Sequence, residues 1–127
     1  MKIKMEFNKE IPDHYFSYNR ALKSVEIPNR IAKIGRCAFS GCGGLTKVSF
    51  EENSELTVIE AGTFSRCYKL AEITIPKSVK GIEEMAFFCC SCTIKYLGTK
   101  EEWDKIDKDK LWDKAFTGTI EFLGEDK

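Results

Sequence analysis

The sequence predicts a repeat solenoid of mixed α+β, mostly β, character: about four repeats of 23–25 residues wound as a right-handed coil around a parallel strand ladder. A strand closes its N-terminal end, and a helix plus a strand closes its C-terminal end. Three observations predict this. Ile34, Phe39, Cys42, Leu45, Val48 and Phe50 return in the same order and at one constant offset as Ile59, Phe64, Cys67, Leu70, Ile73 and Ile75. Ile82, Phe87 and Cys90 follow Ile59, Phe64 and Cys67 at a second constant offset, slightly shorter than the first. Ile11, Phe16, Leu22, Val25 and Ile27 precede Ile34, Phe39, Leu45, Val48 and Phe50 at that same shorter offset, with Asn19 in the place of Cys42.

The whole chain, residues 1–127, is expected to be one domain, with a cap strand over 1–8, repeats over 9–97 and a closing cap over 98–127. Ile3, Met5 and Phe7 alternate with Lys and Glu, which predicts a strand with one buried face. Covering the open end of the stack is the expected role of that strand, since a terminal repeat otherwise exposes its apolar cross-section. Within each repeat, Leu22 to Ile27, Leu45 to Phe50 and Leu70 to Ile75 alternate with period two and are rich in β-branched residues, predicting strands. Ile34 to Cys42, Ile59 to Cys67 and Ile82 to Cys90 space their apolar groups by three to five, predicting short helical turns. Pro28 and Pro76 lack an N–H for the ladder and end their strands. Gly35, Gly62 and Gly81 fall in the bends.

One coil alone cannot bury both its strand and its phenylalanine. Stacking coils about 4.8 Å apart pairs the strands and aligns Phe16, Phe39, Phe64 and Phe87 in an internal column. Two irregularities break the period: Glu51-Glu-Asn-Ser-Glu55 adds two residues after the second strand, and the fourth repeat is two residues short before Ile94. Thr99-Lys-Glu-Glu102 has the capping-box form and opens a helix that places Trp103 and Ile106 on one face. Lys110 to Phe116 predicts another short turn and Thr119 to Leu123 a last strand. Trp103 and Trp112, both in this segment, supply the apolar area that closes the far end.

Bulk composition narrows function by exclusion. Lys plus Arg and Asp plus Glu are both 20, a formal net charge of zero, which argues against a broad electrostatic grip on nucleic acid or an anionic membrane, though a local patch remains compatible with it. No apolar run approaches the roughly 20 residues that span a bilayer, and Met1 to Asp13 does not read as a signal peptide. Of the six cysteines, Cys42, Cys67 and Cys90 share one repeat position, where each is expected to be a small buried hydrophobe with a free thiol. As written, the chain is expected in a reducing compartment, cytoplasmic; as a fragment of a longer parent it would be extracellular or at the cell surface.

The segments SVEIPNRIAKIGRCAFSGCGGLTKV and ITIPKSVKGIEEMAF closely resemble the BspA-like type of leucine-rich repeat, whose consensus is roughly I-P-x-S-V-x-x-I-G-x-x-A-F-x-x-C-x-x-L-x-x-V. TIKYLGTKEEWDKI resembles the segment that commonly follows the last such repeat, so the likeness covers about residues 8–123. The resemblance implies a leucine-rich-repeat-like curved solenoid with a strand-lined face and a role in protein interaction. Many members of that bacterial and protist family are surface or secreted adhesive proteins with far more repeats. This chain differs in being short, capped at both ends and without an evident export signal.

No catalytic residue, metal ligand or cofactor is assigned. His14 has no partner that spacing predicts and reads as a surface or cap histidine. Gly41-Cys-Gly-Gly44 lacks the Lys-Ser/Thr of a phosphate loop. Cys89, Cys90 and Cys92 lack a compelling fourth ligand for structural zinc, and Glu51, Glu52 and Glu55 read as a solvated loop. Outward positions on the strands form two rows, Ser24, Lys47, Glu72, Thr93 and Glu26, Ser49, Thr74, Lys95. Ser24, Glu26, Lys47, Ser49, Glu72, Thr74 and Lys95 are therefore the expected partner-binding residues, with Lys47 opposite Glu72 as an attractive pair. The expectation is a non-catalytic module that binds a protein partner, with neither nucleic acid nor membrane. The alternatives are a structural or adhesive fragment of a larger surface protein, or a small stand-alone protein inhibitor.

Overall fold

The computed structural model describes residues 8–124. The expected N-terminal cap strand with Ile3, Met5 and Phe7 falls on residues outside the described ones. Two parallel five-stranded ladders run the length of the stack. Two-residue strands form one: β1 (Glu10–Ile11), β3 (Lys33–Ile34), β5 (Val58–Ile59), β7 (Gly81–Ile82) and β9 (Asp107–Lys108). Four-residue strands form the other: β2 (Ser24–Ile27), β4 (Lys47–Phe50), β6 (Glu72–Ile75), β8 (Thr93–Tyr96) and β10 (Thr119–Phe122). Each coil thus contributes one strand to each ladder, and the chain makes about five turns.

β2 and β6 stop at the residue before Pro28 and Pro76, where the missing N–H ends the ladder. Alternation does the sorting of faces: Val25, Ile27, Ile73, Ile75, Ile94 and Tyr96 are buried, while the residues between them are partly exposed. All the buried apolar side chains form one continuous core.

The column of phenylalanines is its spine. Phe16, Phe39, Phe64 and Phe87 stack with centroids 5.2, 5.6 and 5.6 Å apart and planes within 17° of parallel. The coil spacing imposes this geometry, and offset-stacked rings at such distances attract. Trp112 meets Phe87 edge-on at 6.2 Å and ends the column. Ser40 and Ser65, beside the rings, join their hydroxyls at 2.8 Å, so this buried polar pair is satisfied.

The segments expected as short helical turns are instead chains of tight turns, and the hydrogen bonds say why. In the second coil, Ala38, Ser40 and Cys42 donate to the carbonyls of Gly35, Cys37 and Phe39 three residues back. Cys37, Phe39 and Gly41 donate across to Ala61, Thr63 and Ser65 of the next coil. Alternate amides are therefore pulled in two directions, which a helix does not permit. Left-handed backbone supplies the reversal: His14 and Tyr18, Cys37 and Gly41, Gly62 and Arg66, Met85 and Cys89 all have positive φ. A side chain costs roughly 1–2 kcal/mol in that region, an expense offset here by the cross-coil bonds.

The repeat cysteines do more than fill space. The thiols of Cys42, Cys67 and Cys90 donate to the carbonyls of Phe16, Phe39 and Phe64 in the preceding coil, at 3.1, 3.1 and 3.0 Å. In the first coil Asn19 takes that place and accepts from the N–H of Ala21 at 3.0 Å.

Both irregularities of period have a physical outcome. Where β2–β4, β6–β8 and β8–β10 each pair four residues, β4–β6 pairs two, Lys47 with Glu72 and Val48 with Ile73. The ladder opens after Val48, at Ser49 and Phe50, just before the two extra residues. Glu51 turns back to accept from the N–H of Asn29 at 2.8 Å, and the Glu52 carbonyl accepts from the Asn29 side chain at 3.1 Å. In the shortened fourth coil, Cys92 is fully buried ahead of β8.

The closing segment is itself built as a coil. After α1 (Lys100–Asp104), whose capping box forms with Thr99 Oγ1 accepting from Glu102 N–H at 3.1 Å and Glu102 accepting from Thr99 N–H at 2.9 Å, β9 and β10 continue both ladders. Trp103 is buried against Tyr96, Trp112 and Phe122.

Candidate interaction surface

The long ladder sets the first outward row in register: Ser24 faces Lys47, Lys47 faces Glu72, and Glu72 faces Thr93. In the second row Glu26 faces Ser49 and Thr74 faces Lys95, but no register pair joins Ser49 to Thr74, because the ladder opens there. Glu72 stands opposite Lys47, yet its ion pair is diagonal: Lys95 Nζ lies 2.8 Å from Glu72 Oε2. That hydrogen bond and the charge of Lys95, with a smaller share from Lys47, hold the Glu72 carboxyl below its usual range. Lys95 is held above its own usual range by the same bond, with Glu121 adding a smaller share. Lys47, Glu72, Lys95 and Glu121 therefore alternate in sign, and the face largely neutralises itself. Ser24 and Glu26 also have partners. What this face offers is a polar surface of mixed sign, held in register by the ladder.

A second surface was not anticipated from the sequence. On the turn that leads into the long ladder, coils one and three carry large side chains where coil two has only glycine. With the coils superposed on their phenylalanines, Tyr18 and Arg20 of coil one, and Arg66 and Tyr68 of coil three, align with Gly41 and Gly43. The result is a trough of about 510 Å³ floored by Gly41, Gly43 and Gly44. Reading columns across the aligned repeats carries the signal; reading along the chain gives only a glycine-rich corner.

All six cysteines are free, with Cys42, Cys67, Cys90 and Cys92 buried and Cys37 and Cys89 half-buried. Burial pushes the Cys90 and Cys92 thiols up to about 11 and about 12, so both stay protonated and poorly nucleophilic at neutral pH. Among the described residues no group of three His, Cys, Asp or Glu side chains is placed to hold a metal ion. Among the described residues no helix is long and apolar enough to cross a membrane.

Comparison with known proteins agrees with this architecture. Residues 4–119 match the family described as BspA type Leucine rich repeat region, in 6 copies. The chain belongs to that family. No match was found among curated proteins. Among solved structures, the chain is similar to the pneumococcal vaccine antigen PcpA, with 29% identity and a TM-score of 0.66 over 69% of this chain and 22% of that one. It is also similar in fold to a leucine-rich repeat protein from Bacteroides ovatus, with 22% identity and a TM-score of 0.68 over 94% of this chain and 32% of that one. The chain thus spans less than a third of the length of either. Repeats of this type are typically non-enzymatic and generally serve protein interaction.

Proposed function

We propose that this domain is a non-catalytic module that recognises a protein partner through its solenoid surface. The observation that carries the proposal is the register of the long ladder, which fixes outward polar side chains of five coils on one rigid face. A surface already ordered by its own backbone gives up little conformational freedom on binding, and stacked repeats present extended surfaces of this kind. Within that face, Lys47, Ser49, Glu72, Thr74 and Lys95 hold the central coils, flanked by Ser24 and Glu26.

Immobilised domain and a Lys47→Glu/Glu72→Lys variant, both shown to be folded, are compared for the proteins they retain from lysate, surface extract and culture medium of the source organism. The expected result is a protein retained by the parent and lost by the variant. Retention of nothing from any of the three fractions contradicts the proposal.

A second reading has its own support: 29% identity to a vaccine antigen of which the aligned region is 22%. On that reading the domain is part of a larger cell-surface repeat protein, extracellular and adhesive. An antibody against the domain that labels intact source cells supports it, and labelling only after lysis counts against it.

A further inference from the structure

The trough between coils one and three gathers four cations with no carboxylate among the residues that line it. Arg20 and Lys23 stand on one wall and Arg66 and Lys69 on the other, and no acidic residue lines the space. None of the four is in an ion pair among the described residues. On a chain whose formal net charge is zero, four cations around about 510 Å³ are a local concentration, the arrangement that focuses an anion's approach.

The trough is also built. Arg66 is seated over the Phe88 ring, its guanidinium carbon 5.2 Å from the centroid. The Tyr18 ring lies directly on Gly41, where an added Cβ would come within 2.6 Å of Cε1. At Gly44 a Cβ would lie 2.7 Å from the Arg20 carbonyl oxygen, so the floor there is closed to any side chain. At Gly43 it would meet nothing within 4 Å, so the open space begins above that residue. Neither Gly43 nor Gly44 has a hydrogen-bond acceptor for its N–H among the described residues. Tyr18 and Tyr68, 66% and 64% exposed, stand on opposite walls; exposed tyrosines are frequent anchors of protein interfaces.

We infer that this trough binds an acidic peptide segment in extended conformation, lying over Gly43 of coil two between the cationic walls of coils one and three. The inference rests on the reading of the domain as a protein-binding module and names the chemistry of what it takes. Width decides for a single strand: two coil spacings of about 4.8 Å leave room for one extended backbone between the walls. Successive side chains of such a strand point to opposite sides, so alternate carboxylates meet Arg20 and Lys23 on one side and Arg66 and Lys69 on the other. The Gly43 and Gly44 N–H groups, without an acceptor among the described residues, are the donors the floor has to offer a peptide carbonyl. Length and total charge argue against a polymeric polyanion. The fourth coil has Cys89 and Ser91 at the positions of Arg66 and Tyr68 and is two residues short just beyond, so the cationic walls end there. Without net positive charge elsewhere, the long-range field on which nucleic-acid binding depends is missing.

The test is fluorescence-anisotropy titration of a labelled hexaglutamate peptide against the whole domain, with hexalysine as control. Parallel titrations use a sulfated oligosaccharide and an oligothymidylate of equal charge. Three variants are compared: Gly43→Leu, which fills the trough without touching a cation, Arg20→Glu/Lys69→Glu, which reverses one cation on each wall, and Lys110→Glu, on the closing turn. Melting curves establish that each is folded. The expected result is binding of hexaglutamate that weakens as salt rises, falls about tenfold or more in the first two variants, an effect of about 1.4 kcal/mol, and changes less than twofold in the third. Binding unaffected by Gly43→Leu, or no binding, overturns the inference. So does tighter binding of the oligosaccharide or the oligonucleotide with the same sensitivity to the variants, which would make the trough a site for that polyanion instead. A captured protein partner that Gly43→Leu still retains leaves the interaction module standing and removes the trough from it. Hexaglutamate bound in the trough by a domain that retains no protein does the reverse.

Discussion

The thiol of Cys67 donates a hydrogen bond of 3.1 Å to the main-chain oxygen of Phe39, tying the third coil to the ring column of the second. Cys90 repeats the bond to Phe64 one coil later, at 3.0 Å. Replacing Cys67 by alanine removes both the donor and the sulfur volume. The Phe39 oxygen keeps its second partner, the N–H of Cys42 at 3.3 Å, so the expected cost is moderate, about 1–2 kcal/mol. Urea unfolding of the variant checks this, and an unchanged midpoint would mean that the thiol contributes nothing.

Burial of these thiols also sets a dependence on pH. Desolvation raises Cys67, Cys90 and Cys92 above their ordinary value of 9.0, Cys90 to about 11 and Cys92 to about 12. Below pH 9 they are protonated in both folded and unfolded chain, and their contribution to stability is complete. Above it the unfolded thiols ionise while the folded ones do not, so stability falls by about 1.4 kcal/mol per pH unit per thiol until the folded value is passed. The measurement is the difference in stability between the parent and Cys90→Ala, followed from pH 7 to 11. That difference is expected to shrink above pH 9, where the parent loses the contribution of one more buried thiol than the variant. A constant difference would contradict it.

Exposure divides the same six residues by reactivity. Cys37 and Cys89 are half-buried and the other four are buried. Two thiols are expected to react rapidly with an aromatic disulfide reagent in the native protein, and all six in denaturant. Rapid native reaction of more than two would indicate that the coils open readily.

Two glycines that look alike in the sequence are expected to respond in opposite ways. A Cβ on Gly118 would overlap the carbonyl oxygen of Cys92, part of the junction where Thr119 N–H donates to that same oxygen at 3.2 Å. Gly118→Ala is therefore expected to cost about 3 kcal/mol, the upper range for overpacking. Gly43→Leu, in open space, should change stability by less than about 0.5 kcal/mol. Thermal melts of the two variants make the comparison.

What the sequence discloses is governed by what its repeats express. Period-two alternation in Val25 to Ile27 and Ile73 to Ile75 made the long ladder legible, because each buried side chain is the cause of its own strand. Thr99 and Glu102 were equally legible, since a capping box is local. The turn between Gly35 and Cys42 was not, because its alternate amides bond to a different coil, and apolar spacing records burial without recording the partner of an N–H. The fifth coil was hidden by its contents. Carrying the β8–β10 register, in which Thr93 pairs with Thr119, back along both coils puts Asp113 at the place of Phe87, and Trp112 and Phe116 fill the column from its neighbours. The trough was hidden for another reason: it consists of absent side chains, and an absence has meaning only once coils one and three stand on either side of it. The diagonal pairing of Glu72 with Lys95 likewise depends on side-chain reach, which register alone does not fix.

The architecture depends on five coils sharing one core. Phe64 stacks at the middle of the ring column, 5.6 Å from both Phe39 and Phe87, while both tryptophans, Trp103 and Trp112, belong to the closing coil. Urea unfolding of Phe64→Ala, followed by tryptophan fluorescence and by far-ultraviolet circular dichroism, therefore reads the far end and the whole ladder separately. With one core, the two signals change together and both show a loss of about 3–5 kcal/mol, the usual cost of deleting a buried phenylalanine ring. A tryptophan transition that stays at the parent's midpoint while the dichroism shifts would show that the coils unfold independently, and would contradict the shared core.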